Sequence, residues 1–150
     1  MPFVVDAFRQ PQQRSSMPGY SGTPLPKKLG IKSGFRAQLV DAPPGVCSEL
    51  KAELDACEIV SNGKLPLDFA MCFTKSKGVL AREFKRIAKL LAPAGMLWVC
   101  WPKKSSGVAT DVDENIVREI GLAAGLVDVK VCAVTDVWSG LKFVRRVKDR

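Results

Sequence analysis

Two lysine clusters are the side chains in this sequence best placed to bind a negatively charged ligand. Lys75 and Lys77, separated by Ser76, lie between an apolar segment and an amphipathic segment. The amphipathic segment is predicted to be a helix, so both cations stand at the positive end of its dipole. That placement is unfavourable unless an anion or an acidic partner compensates it. Because such departures from local consistency concentrate at functional sites, the pattern predicts an anion-binding site.

The second cluster follows the next predicted strand. Lys103 and Lys104 come shortly after Trp101 and directly before Ser105 and Ser106. We expect the lysines of both clusters to supply positive charge, the serines to supply hydroxyl donors, and the indole to form an apolar wall. The alternative is that the lysines are solvated loop residues, because Lys is the commonest cation of protein surfaces.

Several kinds of chemistry are excluded by composition. The chain has no histidine, which removes the commonest general base and every Ser-His or Cys-His triad. Acid or base chemistry would fall to Asp, Glu, Lys or the single tyrosine, Tyr20. None of the five cysteines forms a C-x-x-C pair, so no zinc site is predicted. We therefore name no catalytic residue and no metal ligand.

The overall composition is that of a soluble globular protein of 150 residues, 47% hydrophobic and 25% charged. No apolar run approaches the ~20 residues of a membrane helix. The apolar start Phe3-Val4-Val5 is followed at once by Asp6, so no secretory signal is predicted and we expect a cytoplasmic protein. The net charge of +8 suits a nucleic acid, an anionic cofactor or an acidic partner, or simply a solvated surface.

The domain organisation is predicted from proline and hydrophobic patterning. Residues 1–18 contain three prolines among glutamines and serines and are predicted to be a disordered leader, with Met17 as a second candidate start. Residues 19–150 are predicted to form a single domain. Its predicted strands are 35–40, 58–60, 67–74, 96–101, 127–134 and 141–147, and its predicted helices are 26–29, 47–54, 78–91 and 111–124.

The element boundaries are predicted from local signals. Pro93 and Gly95 are expected to end the third helix, Thr110 to cap the fourth at its start and Gly125 to cap it at its end. A turn is predicted at Asn62-Gly63. The short connection over 135–140 indicates that the last two strands form an antiparallel hairpin.

The order of these elements predicts an α/β fold, a three-layer αβα sandwich with a mostly parallel sheet and a C-terminal antiparallel hairpin. In such folds, ligands bind outside the carboxyl ends of the strands. Those ends carry Asp41 and the two lysine clusters. We therefore expect the two clusters to lie side by side, near the end of the first strand.

The apolar strand at 67–74 and the run Leu-Leu-Ala-Pro-Ala-Gly-Met-Leu-Trp-Val at 90–99 are similar to the L-x-P-G-G-x-L-x-V region of class I S-adenosylmethionine-dependent methyltransferases. The closing hairpin also resembles their last two strands. From residue 67 onward, the resemblance implies a truncated Rossmann-like, methyltransferase-like fold and makes S-adenosylmethionine a candidate cofactor.

Three further motifs resemble a small bacterial domain family that has no established activity and is similar to methyltransferases in fold. They are Tyr-Ser-Gly-Thr-Pro-Leu-Pro-Lys-Lys-Leu-Gly-Ile-Lys-Ser-Gly at 20–34, Trp-Pro-Lys-Lys at 101–104 and Trp-Ser-Gly-Leu-Lys-Phe at 138–143. This second resemblance extends over nearly the whole chain from Met17.

Two departures from the methyltransferase pattern bear on cofactor binding. Those enzymes follow their first strand with E/D-x-G-x-G-x-G, whereas this chain has Val-Asp-Ala-Pro-Pro-Gly at 40–45, in which two prolines remove amide donors. They also carry an acid after the second strand. The stretch between Asp41 and Leu67 is too short for two βα units, and its nearest acids, Glu58 and Asp68, are poorly placed for that role.

Three functions remain as hypotheses. The favoured one is a non-catalytic methyltransferase-like domain that binds an anionic small molecule or an acidic partner. The second is a methyltransferase with a non-standard cofactor loop, in which Asp41 lies at the cofactor end and Tyr20 or a lysine acts near the acceptor. The third is a nucleic-acid-binding domain. Its basic surface would comprise residues 145–150 together with Arg82, Lys85, Arg86 and Lys89.

Overall fold

The computed structural model describes residues 22–61 and 66–150. Within them, helices and strands alternate for most of the chain, as the hydrophobic pattern predicts. The elements in chain order are α1 (Leu25–Leu29), β1 (Arg36–Val40), α2 (Pro44–Glu49), α3 (Lys51–Asp55), β2 (Glu58–Ile59), β3 (Leu67–Phe73), α4 (Lys77–Ala88), β4 (Leu91–Pro102), a 3-10 turn (Lys104–Ser106), α5 (Glu114–Ala123), β5 (Leu126–Ala133), β6 (Trp138–Arg145) and a second 3-10 turn (Val147–Asp149).

All six strands belong to one sheet in the order β2-β1-β3-β4-β6-β5. The first four are mutually parallel, and β6 runs antiparallel to both β4 and β5. The predicted α/β fold with its mostly parallel sheet and closing hairpin is therefore confirmed. Because β2 has only two residues, the front half of the sheet is short.

Each face of the sheet is covered by its own apolar core. On one face, α4 and α5 pack over the sheet, and Phe84 meets Phe143 edge to face with ring centroids 5.1 Å apart. On the other face, α1 and α2 cover Trp98, whose Nε1–H donates to the Leu29 carbonyl at 2.9 Å. A fully buried indole with its polar hydrogen satisfied fixes α1 to the centre of the sheet.

The boundary between α4, the third predicted helix, and the strand that follows it differs from the prediction. The helix predicted over 78–91 ends at Ala88, and β4 begins at Leu91 rather than at residue 96. The Leu67 N–H donates to the Leu90 carbonyl at 2.7 Å, and Leu91 pairs with Leu67 in the sheet. This early pairing with β3 outcompetes the helix-forming tendency of the two leucines.

Residues 92–95 form an irregularity within β4 and do not act as a helix stop. The register shifts between the Leu67 and Phe69 pairs of the β3–β4 ladder, where β4 has extra residues. Pro93 is exposed there, and a Cβ on Gly95 would overlap the Leu67 carbonyl oxygen. Gly95 is therefore required by a close approach of two backbones.

Three other predicted boundaries need correction. The helix predicted over 47–54 begins earlier, at Pro44, and is divided into α2 and α3 at the buried Leu50. The helix predicted from residue 111 begins at Glu114. The final strand begins at Trp138 because the Val134 N–H donates to the Trp138 carbonyl at 2.9 Å and tightens the hairpin.

The predicted turn at Asn62-Gly63 and the predicted leader at 1–18 lie outside the described residues. Gly125 follows α5 in a left-handed conformation with a φ of 92°, as its predicted capping role requires. In the part of the chain that the structure describes, no helix has both the length and the apolar character needed to cross a bilayer.

Candidate functional site

The carboxyl ends of the parallel strands converge at one edge of the sheet. Asp41 follows β1, Lys75 and Lys77 follow β3, and Lys103 and Lys104 lie at the end of β4. The antiparallel β6 starts at the same edge, where Trp138 contacts Phe73 edge to face with centroids 5.3 Å apart. The topology thus brings the predicted site residues to a common edge.

The start of α4 contains its own compensating acid. Ser76 is the N-cap and accepts a hydrogen bond from the Val79 N–H at 3.3 Å. The Lys77 N–H donates to Asp111 Oδ1 at 2.7 Å. The acidic partner expected at this helix terminus is therefore supplied within the chain, from the loop before α5, and the two lysines there do not by themselves indicate an external anion.

The loop that carries Asp111 is attached to the end of β3 by further contacts. Thr110 Oγ1 donates to the Lys75 carbonyl at 2.7 Å and accepts from the Val112 N–H at 3.1 Å. The predicted helix cap at Thr110 is therefore wrong. Asp113 caps α5 instead, because its Oδ1 accepts from the Ile116 N–H at 2.9 Å.

A cleft of about 460 Å³ opens beside the second lysine cluster. Lys103 and Lys104 line it together with Trp101 and Ser139, and the opposite wall is the first turn of α5. The residues of that wall are Asp113, Glu114 and Asn115. Neither Asp41 nor the cluster at 75–77 lines this cleft, so the two lysine clusters share an edge of the sheet but not this cavity.

The acids in the cleft are already engaged with other groups. Asp113 caps α5, and Glu114 pairs with Arg118 at 2.8 Å. Among residues 22–61 and 66–150, no carboxylate forms an ion pair with either lysine of the cleft or with either lysine that flanks Ser76. The lysine charges are therefore not neutralised by direct ion pairs within the described part of the chain.

The other predicted site residues have mixed positions. Trp101 is buried, as an apolar wall would be. Ser76 and Ser106 serve local structure: the Ser106 hydroxyl donates to the Lys103 carbonyl at 2.6 Å and accepts from the Val108 N–H at 3.2 Å. Ser105 is exposed in the 3-10 turn. Of the three predicted hydroxyl donors, only Ser105 is not used in a local hydrogen bond among the described residues.

Sequence reasoning missed Asp111, Asn115 and Ser139. Asp111 carries no distinctive local signal, because the segment Thr110-Asp111-Val112-Asp113 offers a threonine and two acids as alternative helix caps. Asn115 carries no distinctive local signal either. Ser139 is brought to the cleft only by the pairing of β6 with β4, in which it lies opposite Trp101.

The loop after β1 is stiff and has few free amide donors. Asp41 is the one non-glycine residue in the described ranges with a positive φ, 56°. Pro43 is the N-cap of α2, and the N–H groups of Val46 and Cys47 both donate back to its carbonyl, at 3.0 and 3.2 Å. Because Pro44 has no N–H, the amides available to a ligand at this terminus are reduced further.

The two acids considered for a ribose-binding role lie at the amino ends of their strands. Glu58 Oε1 is 3.6 Å from Arg36 Nε, and Asp68 Oδ2 accepts from the Arg36 N–H at 2.9 Å. Both are therefore at the edge opposite the candidate site. The sequence that follows β2, from Val60 to Pro66, contains no acid.

The cysteines in the core are not activated thiols. Burial raises the pKa of Cys72 to about 12, with smaller contributions from neighbouring charges. Burial also raises the pKa of Cys100 well above that of a free thiol. Both remain protonated at neutral pH, as expected for small core residues.

Comparisons with known proteins support the fold through structure alone. No protein-family model matches the chain, and no curated protein sequence matches it. A S-adenosylmethionine-dependent methyltransferase from Aquifex aeolicus is 14% identical over 78% of this chain and 85% of its own, with a TM-score of 0.58. The magnesium protoporphyrin IX methyltransferase of Synechocystis PCC 6803, solved with bound S-adenosylhomocysteine, is 12% identical over 81% of this chain and 78% of its own, with a TM-score of 0.54.

A third similar structure is the fibrillarin pre-rRNA processing protein of Methanococcus jannaschii, 13% identical over 77% of this chain and 68% of its own, with a TM-score of 0.51. At such identities these likenesses show the fold and not the activity. The chain therefore has the Rossmann-like fold of S-adenosylmethionine-dependent methyltransferases, as the resemblance of residues 67–99 implies. The resemblance to a bacterial domain family stays a prediction.

Proposed function

We propose that this chain is a non-catalytic methyltransferase-like domain that binds an anionic small molecule or an acidic partner at the carboxyl edge of its sheet. The binding groups are Lys103 and Lys104, with Trp101 as the apolar wall of the cleft. The observation that carries the proposal is that both carboxylates facing these lysines are used elsewhere, so two cations meet an open cavity without an ion pair.

The electrostatics of the cleft favour a negative ligand. Lys103 and Lys104 are free of ion pairs within the described residues, whereas the two carboxylates of the cleft are held at the start of α5, Asp113 as its N-cap and Glu114 by Arg118. Asn115 and Ser139 supply neutral polar groups that can orient the ligand. Lysine acts here as a point charge that suits a phosphate or carboxylate group.

The front half of the fold supports a role without methyl transfer. A tightly held adenosyl cofactor needs backbone amides after β1 and an acid after β2. Here Pro43 and Pro44 occupy the first position, and the acids Glu58 and Asp68 lie at the wrong edge. A ligand at this edge must therefore be held mainly by side chains of the back half.

A methyltransferase with a non-standard cofactor loop is the second candidate function. One observation favours it: Asp41 has a left-handed backbone at the carboxyl end of β1, and strained residues of this kind cluster at functional sites. The structurally similar Synechocystis enzyme binds S-adenosylhomocysteine. The cofactor would then be S-adenosylmethionine.

Nucleic-acid binding is the third candidate, and one cavity favours it. A cleft of about 510 Å³ brings Lys85 of α4 and Lys89, just after α4, together with Arg145 and Arg146, all four from the predicted basic surface. However, Arg145 donates to the carbonyls of Ala88, at the end of α4, and Leu91, at the start of β4, and Arg146 pairs with Asp149 at 2.9 Å. Fewer free cations therefore remain there than the sequence suggests.

A thermal-shift titration separates the three functions. The ligands are S-adenosylmethionine, S-adenosylhomocysteine, nucleotides, polyphosphate and duplex DNA. The test variant is Lys103→Gln/Lys104→Gln, and the matched control is Lys85→Gln/Lys89→Gln, which removes the same charge from the α4 surface. A ligand that binds only the folded state raises the Tm by mass action.

The expected result is a Tm increase with an anionic small molecule that the Lys103/Lys104 variant loses and the control retains. An increase with S-adenosylmethionine that survives the Lys103/Lys104 substitution would instead support the methyltransferase function. Salt-sensitive DNA binding lost only in the Lys85/Lys89 variant would support nucleic-acid binding. No shift in the wild type with any small anion would reject the small-molecule form of the proposal, and acidic protein partners would remain to be tested by pull-down with the same variants.

A further inference from the structure

A third lysine-lined cleft lies between α1 and β5, away from the residues of the two clefts described above. Its volume is about 480 Å³, within the range typical of small-molecule sites. Lys27 and Lys28 line it from α1, and Lys130 lines it from β5, with Cys132 further along the strand. The concave shape between a helix and a sheet edge suits a compact ligand.

The sheet register adds a fourth lysine behind this cleft. Lys142 on β6 pairs directly with Lys130 on β5. Like charges directly opposite each other on antiparallel strands are destabilising. Lys142 is half-buried, and its Nζ lies 3.9 Å from where a Cβ on Gly30 would be, so the end of α1 covers it. Burial, and then the nearby Lys130, lower the pKa of Lys142.

Two of these ammonium groups are held in defined positions. Lys130 Nζ donates to the Lys28 carbonyl at 2.9 Å, and Lys28 Nζ donates to the Ala133 carbonyl at 3.2 Å. Reciprocal bonds between helix and strand reduce the side-chain entropy that a ligand would otherwise have to remove on binding. The cations are therefore partly preorganised.

Three lysines of this group have no compensating acid in the described structure. Across residues 22–61 and 66–150, no carboxylate forms an ion pair with Lys27, Lys130 or Lys142. This differs from the cleft beside α5, where two carboxylates are present in the wall. A fold that places like charges opposite each other beside a cavity departs from local consistency, as functional sites do.

We propose that the cleft between α1 and β5 binds a small phosphate-bearing anion with at least two negative charges. Lys130 and Lys27 contact its phosphate oxygens, and Lys142 adds positive potential from behind Lys130. Bound phosphate relieves the repulsion between the paired lysines, which gives binding a favourable contribution beyond the direct contacts.

The test is isothermal titration calorimetry of the full chain with pyrophosphate. The variant is Lys130→Gln/Lys142→Gln, and the matched control is Lys85→Gln/Lys89→Gln, which removes equal charge elsewhere. Lys103→Gln/Lys104→Gln is measured beside them to separate any pyrophosphate binding in the cleft beside α5. We expect the Lys130/Lys142 variant to bind roughly tenfold or more weakly, because charge-assisted contacts are lost, while the Lys85/Lys89 control keeps the wild-type affinity.

Backbone amide chemical shifts of the wild type provide a second measurement that does not depend on the variants folding. Pyrophosphate is expected to shift the amides of residues 27–30 and 130–133. A single Lys27→Gln substitution on the exposed side of α1 should also weaken binding. The proposal fails if millimolar pyrophosphate leaves those amides unmoved, if only residues 103–107 respond, or if all three double variants lose affinity equally.

Discussion

The contact between Asp111 and the start of α4 allows a direct test of how this edge of the sheet is stabilised. Asp111 Oδ1 accepts from the Lys77 N–H at 2.7 Å, a short, charge-assisted bond at a helix N-terminus whose nearest side chains are cationic. Replacing Asp111 with alanine removes the acceptor and the negative charge. Replacing it with asparagine removes only the charge.

The magnitude follows from these two parts. Loss of a side-chain acceptor at a helix start costs about 0.5–2 kcal/mol, and loss of a favourable charge there costs about 0.3–1 kcal/mol. Asp111 is exposed, so solvent screening places both effects in the lower part of these ranges. We expect a loss of about 1 kcal/mol for Asp111→Ala and about 0.5 kcal/mol for Asp111→Asn.

The assay is urea denaturation followed by circular dichroism, with Asp136→Ala as the control. Asp136 is an exposed acid in the hairpin loop, so its removal changes the net charge by the same amount. Added sulfate should recover part of the stability of Asp111→Ala, since an anion can then bind the vacated helix terminus. The reasoning is refuted if Asp111→Ala and Asp136→Ala have the same midpoint as the wild type.

Two further predictions concern the core and the paired lysines. Gly121→Ala should lower the free energy of unfolding by about 1–3 kcal/mol, because the added Cβ would overlap the Phe143 ring. The control Gly78→Ala, in the exposed first turn of α4, should be neutral or stabilising. The midpoints of urea denaturation compare the two variants. Lys142→Met should stabilise the protein at neutral pH by about 0.2–1 kcal/mol. The folded-state pKa of Lys142 is below its unfolded value of 10.5, so the wild type recovers stability as the pH rises through the folded pKa. The difference in unfolding free energy between Lys142→Met and the wild type should therefore shrink towards pH 10.5. An advantage that stays constant or grows with pH would contradict this.

The first three strands were the most predictable part of the sheet because their signal is local. The apolar run of β3 ends within one residue of its predicted limit, and β1 and β2 begin or end within one residue of theirs. The boundary between α4 and β4 could not be placed in this way. Leu90 and Leu91 suit a helix, and only the pairing of Leu91 with Leu67, distant in sequence, assigns them to the sheet.

The candidate sites show the same division between local and tertiary information. The position of Lys103 and Lys104 at the edge of the sheet follows from strand order alone. The acids near these two lysines depend on how α5 packs against the sheet. The acid at the start of α4 is Asp111, which lies 34 positions after Lys77 in the chain. The opposition of Lys130 and Lys142 requires the register of the hairpin, including the shift between Asp128 and Lys130.

The shortened front half of the sheet determines where binding energy can come from in this molecule. In the methyltransferase pattern, the nucleoside is held by the loop after the first strand and by an acid after the second. Here that loop begins α2 with two prolines, and β2 has only two residues. The back half, from β3 to β6, keeps its strands and helices, contains the cleft beside α5 and supplies the β5 side of the cleft beside α1. In the proposed function, side-chain charge replaces backbone amide recognition, which predicts binding that is strongly salt-dependent and selective for ligand charge more than for the adenosyl group.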